Sequence, residues 1–112
     1  MSSEKTINKK HSQPELFSKV HSTPNGCVLA ASDAELIGKT LKFGEIEFHV
    51  SESFYKGKET SKKELSKLLD EHTNINLIGQ KVVGIALEKG LISEHSIINI
   101  SGVPHVQIYK LM

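Results

Sequence analysis

The 112-residue sequence contains no arginine and no tryptophan, so that all 14 of its basic residues are lysines. Arginine reads guanine edges and grips phosphates through its planar fork, whereas lysine acts as a hydrated point charge. The absence of arginine argues against sequence-specific DNA binding. Lysine contacts to phosphate remain compatible with the composition.

The sequence has a single cysteine, Cys27, which excludes an internal disulfide framework and a zinc site with several thiolates. Its N-terminus lacks the apolar stretch of a signal peptide, and no apolar run approaches the roughly 20 residues that cross a bilayer. These absences predict a cytoplasmic protein without membrane association. Because Cys27 starts an apolar run, we expect a buried and unreactive thiol.

Polar residues dominate the N-terminus, which contains three lysines, Lys5, Lys9 and Lys10, and a single acidic residue, Glu4. Such a composition cannot bury much apolar surface, and it predicts a disordered polar tail over residues 1–13. The remaining length suits one packed core. We therefore expect a single domain over residues 14–112.

Hydrophobic periodicity after residue 14 predicts strands, then helices, then strands again. A capping box that begins at Ser61 marks the start of the first helix, and Asn25-Gly26 marks a hairpin turn. Residues 51–60 are predicted to be a loop. The predicted strands are 16–21, 27–31, 43–50, 97–100 and 105–111, and the predicted helices are 61–71 and 74–89.

This order of elements favours an α+β fold, with a mostly antiparallel sheet of about five strands and two main helices packed on one face. The other face should then be open to solvent. Within strand 43–50, the alternation directs Ile46, Phe48 and Val50 inward. Ser32 or Asp33 should cap a short helical segment that follows the second strand.

The last strand alternates polar and apolar side chains, so that Val106 and Ile108 face inward. The polar side chains of this strand and of the first strand should share the open face of the sheet. This predicted polar sheet face is either a recognition surface or an ordinary solvent-exposed surface without a ligand. Its residues are Lys19, His21, His105, Gln107 and Tyr109.

Lysines lie beside two aromatic residues between positions 54 and 67. Aromatic rings stack on unpaired bases and lysines neutralise phosphates, which favours RNA or the ribosome as a partner. The alternative is an ordinary solvated helix start with glutamate–lysine pairs. The predicted RNA-binding residues are Phe54, Tyr55, Lys56, Lys58, Lys62, Lys63 and Lys67.

The six histidines are scattered and lack the paired spacing of a structural zinc site. We therefore expect no metal and no cofactor, and no motif identifies a catalytic residue. A second hypothesis is a small hydrolase or ligand-binding protein whose pocket joins His21 and His105 with Asp33 or Tyr55. A third is a protein partner that binds the exposed strand edges.

Six short motifs in one order carry a resemblance to a known family. They are Lys19-Val20-His21, the segment 33–39, the segment 51–55 with Gly57, the segment 76–79, Gly90-Leu91-Ile92 and the segment 102–107. Over about residues 15–110 the chain resembles the archaeal family of domain of unknown function 424. The N-terminal extension lies outside that pattern, and Ser32 stands where many members have cysteine.

The resemblance implies a small archaeal cytoplasmic α+β protein, and it brings no assigned activity, cofactor or catalytic residue. The leading hypothesis is a non-enzymatic module that associates with RNA or a ribonucleoprotein, with an expected place in translation. Its basis is the lysine-rich segment 54–67, the lysines of the tail and the polar sheet face.

Overall fold

The computed structural model describes residues 13–111, so the predicted tail lies outside the described residues apart from Gln13. Eight strands and three α-helices follow one another in this part of the chain. The strands are β1 (Leu16–Thr23), β2 (Gly26–Asp33), β3 (Thr40–Phe43), β4 (Ile46–His49), β5 (Lys58–Thr60), β6 (Asn74–Ile78), β7 (Ile98–Ile100) and β8 (Val103–Tyr109). The helices are α1 (Glu52–Tyr55), α2 (Lys62–Glu71) and α3 (Gln80–Glu88), with short 3₁₀ turns at Ala34–Leu36 and Glu94–Ser96.

The main sheet has six strands in the order β5-β1-β2-β6-β8-β7, and β3 and β4 form a separate hairpin. All neighbours in the main sheet pair antiparallel except β2 and β6, which are parallel. The expectation of an α+β fold is confirmed. The sheet is mixed and six-stranded, where the sequence predicted a mostly antiparallel sheet of about five strands.

Two separate apolar clusters cover the two faces of the sheet. On one face α2 and α3 pack over the sheet, with Leu65 and Leu69 of α2 fully buried against Leu29 and Leu77. On the other face the β3–β4 hairpin and α1 pack over Ala30, Ile78 and Ile100. Each large apolar side chain buried in this way stabilises the fold by about 1.5–3 kcal/mol. The predicted open face is therefore partly covered.

The sequence pattern predicted the wrong start for one helix. Residues 74–78 form strand β6, and α3 begins only at Gln80. Ile75 and Leu77 are buried and alternate with the half-buried Asn74 and Asn76, which is the period of a strand. The predicted helix over 74–89 is therefore wrong for its first residues.

Two further expectations need correction. The predicted loop 51–60 contains the short helix α1 and the edge strand β5. Ile46 was expected to face the core, but 67 % of its surface is exposed because strand 43–50 is split by a turn into two arms of a hairpin. Phe48 and Val50 do lie against the core as expected.

The N-terminus of helix α3 is capped by a side chain from strand β2. Its N-cap residue, Gly79, has no side chain, and Asp33 at the end of β2 takes over the capping role. The Asp33 carboxylate accepts hydrogen bonds from the backbone N–H of Lys81, at 3.1 and 3.0 Å, and of Val82, at 3.1 Å. A negative charge at a helix N-terminus is stabilising. This contact joins the two parallel strands to the helix.

We expect Gly79→Ala to lower the free energy of unfolding by about 3 kcal/mol or more. Gly79 has φ +125°, which L residues rarely adopt, and an added Cβ would lie 2.4 Å from the Asp33 Cγ. The matched control is Gly84→Ala inside α3, where a Cβ meets nothing within 4 Å, and which should raise stability by about 1 kcal/mol. Urea unfolding of both variants measures the difference. Equal effects would contradict this account of the Asp33 contact.

Candidate functional site

The register of the sheet brings polar side chains of four strands onto one face. His21 pairs with Val28, Asn74 pairs with Tyr109, and the parallel register places Val28 beside Asn74. These four residues form a row across β1, β2, β6 and β8, which we call the cross-strand row. The neighbouring row contains Lys19, Ala30, Asn76 and Gln107. Partners across a ladder project to the same side, so Lys19, His21, His105, Gln107 and Tyr109 project to one side of the sheet.

This face of the four strands carries no carboxylate within the described residues. The remaining side chains on it are apolar or small, from Phe17, Ser32, Ile78 and Val103. Lys19 is the basic residue of the face, and its Nζ donates a hydrogen bond of 2.8 Å to the backbone carbonyl of Ser53. The face is therefore electrostatically compatible with an anionic ligand.

Helix α1 covers the face above β1 and β2. The Phe54 ring stacks on the His21 ring, with centroids 4.7 Å apart and planes at 16°, and His21 Nε2 lies 2.8 Å from the Phe54 carbonyl oxygen. Since a carbonyl accepts, Nε2 carries the proton of this hydrogen bond. Both rings stay half-buried. They form one aromatic platform at the edge of the row.

Tyr55 does not belong to the surface. It is 2 % exposed, and its hydroxyl donates a hydrogen bond of 2.6 Å to Asn76 Oδ1. Burial raises the pKa of the Tyr55 hydroxyl well above its usual range. A ring enclosed in this way cannot stack on a base, so the prediction that Tyr55 contacts RNA is wrong.

His105 is likewise removed from open solvent. The β3–β4 hairpin places the Phe48 ring over it, with centroids 5.0 Å apart. His105 Nδ1 donates to the Leu77 carbonyl oxygen at 2.8 Å. Burial lowers the pKa of His105, and the hydrogen bond to Leu77 opposes this effect. The expectation that His105 is a freely exposed member of the polar sheet face is corrected to a half-buried position under the hairpin.

Gln107 and Tyr109 are exposed, as the sequence predicted. Tyr109 exposes 68 % of its surface, and Gln107 Nε2 donates a hydrogen bond of 3.1 Å to its hydroxyl. The bond leaves the Gln107 Oε1 free to accept and the Tyr109 hydroxyl free to donate. An exposed ring with an oriented polar tip is suited to stacking and hydrogen bonding at once.

The structure does not bring His21 and His105 together. They lie on β1 and β8, with β2 and β6 between them, which separates them by about 14 Å or more at the usual strand spacing. Two open cavities, of about 520 and 430 Å³, lie instead beside residues 13–15, at the other end of β1 from His21. Within residues 13–111, no group of three metal-ligating side chains exists.

The predicted lysines lie on a second surface. Lys58 of β5 pairs with Ser18 on the side of the sheet that carries the helices, and Lys62, Lys63 and Lys67 are exposed on α2. We call these four residues the lysine surface. Lys56 lies on the other side of the sheet, with its Nζ 5.5 Å from the Phe17 ring centroid.

The sequence pattern predicted the wrong environment for one side chain and missed three side chains of the polar sheet face. Cys27 is exposed rather than buried, because it lies at the free beginning of β2. Val28, Asn74 and Asn76 complete the polar sheet face but were not named, since residues 74–78 were assigned to a helix. The alternation of asparagine with buried isoleucine and leucine was the available signal.

Asp33 is not part of a pocket. Its carboxylate fills the N-terminus of α3, the position at which many nucleotide-binding folds hold a phosphate, so this helix end is closed. Burial raises the pKa of Asp33, whereas the amide hydrogen bonds from Lys81 and Val82 lower it. Its role is architectural.

Comparisons with known proteins agree with this fold. Residues 20–111 match the family described as "Protein of unknown function (DUF424)". The chain belongs to this family. It is similar to a solved structure, an uncharacterized conserved protein from Methanopyrus kandleri, at 32% identity and a TM-score of 0.71, covering 84% of this chain and 90% of that one. No curated protein matches.

Several motifs that carried the resemblance are explained by packing. A Cβ on Gly57 would lie 2.4 Å from the Ser18 carbonyl oxygen, so the chain needs glycine where β5 approaches β1. Gly79 and Asp33 hold the start of α3.

Among residues 13–111, no helix has the length and hydropathy to cross a membrane.

The lowered pKa of His105 predicts how stability depends on pH. A histidine that binds protons less readily in the folded than in the unfolded state gives stability that is present above about pH 6.5 and is lost as the pH falls toward the folded pKa. The free energy of unfolding should therefore decrease between pH 7 and 5, by at most about 1.4 kcal/mol per pH unit for one proton.

The variant His105→Asn should flatten this dependence, and the exposed His95→Asn should leave it unchanged. Urea unfolding at several pH values measures both. A slope that survives in His105→Asn would show that other groups carry it.

Proposed function

We propose that this protein is a non-enzymatic module that associates with RNA, and that the lysine surface binds the phosphates. The observation that carries the proposal is that Lys58, Lys63 and Lys67 are exposed on one side and, within residues 13–111, lie in no ion pair. Lys62 has only a long contact of 4.0 Å with Glu15. Positive charge without a partner is suited to a polyanion.

The local structure makes this charge unfavourable in the free protein. Lys62 and Lys63 lie in the first turn of α2, where the helix dipole disfavours positive charge. Lys63 and Lys67 are one turn apart, and such like-charged pairs cost about 0.2–0.5 kcal/mol. A bound phosphate backbone would remove both costs.

Besides Glu15, which lies 4.0 Å from Lys62, a second carboxylate, Glu64, lies beside the lysine surface. The Ser61 amide, which donates to Glu64 at 2.9 Å, lowers the pKa of Glu64, and the charge of Lys58 adds to this effect. Glu64 is thereby fixed in the capping box of α2. It neutralises only part of the charge of four lysines.

The chemistry of lysine suits recognition of the backbone rather than of the sequence. Its ammonium is a point charge without the bidentate geometry that reads guanine. We therefore propose a structured RNA or a ribonucleoprotein such as the ribosome as the partner, with a place in translation in the cytoplasm. The second hypothesis, a pocket of His21 and His105, has no support from the geometry because these residues are separated by two strands.

Replacement of Lys58, Lys63 and Lys67 by glutamine should weaken RNA binding and reduce its salt dependence. For three lost contacts to a single strand, the slope of log K against log salt should become less steep by about 2. Fluorescence anisotropy with a labelled RNA between 50 and 200 mM salt measures both quantities.

The matched control replaces three other exposed lysines, Lys39, Lys42 and Lys81, by glutamine, which changes the net charge equally. If both triple variants bind RNA alike, binding follows overall charge and the lysine surface has no special role. If the wild-type protein binds no RNA at 50 mM salt, the proposed function is wrong.

A further inference from the structure

We propose that the cross-strand row seats the bases of a single-stranded RNA segment that runs across the strands. One base stacks on Tyr109, and another lies against the aromatic platform of His21 and Phe54. This inference rests on the proposed function and specifies its ligand: an unpaired strand rather than a duplex.

The cross-strand row has aromatic rings at both ends and less exposed side chains between them. Tyr109 stands at one end with 68 % of its surface exposed, and the stacked rings of His21 and Phe54 stand at the other. Val28 and Asn74 between them are half-buried and form a low floor. A surface that is aromatic at both ends and low between them can hold flat groups.

Polar groups on the floor can contact base edges. Asn74 Oδ1 has no hydrogen-bond partner among the described residues, although it is buried. The residue as a whole is half-buried, so part of the Asn74 side chain other than Oδ1 is accessible on the face. Gln107 offers its free Oε1 beside Tyr109. Amide side chains pair with base edges as both donor and acceptor.

The charge of the face favours the same ligand. The four strands carry no carboxylate on this side within residues 13–111, the edge strand β5 adds Glu59 beside Phe17, and Lys19 and Lys56 lie on this same side near β1. One RNA chain could therefore contact the row with its bases and the lysines with its phosphates. A duplex cannot use the row, because its bases are stacked on each other and expose no ring face.

The length of the row sets a minimum length for the ligand. It spans three strand spacings, from β1 to β8, or about 14 Å. A single strand advances at least about 3.4 Å per nucleotide, so four steps, or about five nucleotides, are enough to reach from one platform to the other. A dinucleotide can occupy only one of them.

The test measures binding of labelled oligouridylates and oligoadenylates of two, four, six and ten nucleotides, and of a hairpin duplex, by fluorescence anisotropy. Affinity should rise steeply between two and six nucleotides, and the duplex should bind more weakly than the ten-nucleotide strand. Tyr109→Ala should weaken binding of the ten-nucleotide strand about ten-fold or more, and Tyr109→Phe should retain it within about two-fold because the ring is kept.

The control Phe43→Ala removes another exposed aromatic ring, 48 % exposed and located on the β3–β4 hairpin. It should leave affinity unchanged. Because Tyr109 and Phe43 are both exposed, neither variant should unfold the protein, and urea unfolding verifies this.

The outcomes separate the two proposals. Binding that depends on the lysine surface but survives Tyr109→Ala overturns this inference and leaves the proposed function in place. The same conclusion follows if the duplex binds as tightly as the single strand. If no RNA of any length binds at 50 mM salt, both proposals are wrong.

Discussion

The contact between Asp33 and the N-terminus of α3 determines the arrangement of the sheet and its layers. Its carboxylate accepts hydrogen bonds from the Lys81 and Val82 amides, at the end of the only parallel pair within residues 13–111. Gly79 makes room for it, since any Cβ there would overlap the carboxyl group. A charged group this buried is tolerable only because the backbone amides and the helix dipole compensate for its lost hydration. The parallel pair and α3 are thereby fixed together.

The character of the polar sheet face follows from this arrangement. With α2 and α3 committed to one side, the opposite side is covered only by the four-residue helix α1 and a two-stranded hairpin. These cover Ala30, Ile78 and His105 but do not reach Gln107 and Tyr109. The uncovered strip lies where β8 ends and β6 begins. Its exposure is a consequence of how short the covering elements are.

The sequence predicted what local periodicity and capping control. The Asn25-Gly26 hairpin, the capping box of α2 and the alternation around Val106 and Ile108 all have local causes, and each is observed. The strand 74–78 was missed because two apolar residues two positions apart fit a helix or a strand. The Asp33 cap and the cover over His105 join residues far apart in the chain. No pattern within a short window records such contacts, so the burial of Tyr55 and His105 could not be foreseen.

In the proposed RNA complex, the two surfaces would contribute to binding through different physical terms. Three lysine contacts to phosphate give a salt slope of about 2, so their affinity falls about 16-fold between 50 and 200 mM salt. Such contacts alone hold RNA weakly at physiological ionic strength. Stacking on Tyr109 and hydrogen bonds to amides release no counterions, and they therefore keep their value as salt rises. Without arginine, the lysines of this chain cannot bind a phosphate with two parallel hydrogen bonds, so the proposed RNA binding would require such a second term. The aromatic and amide side chains of the cross-strand row are the groups in this structure that can supply it.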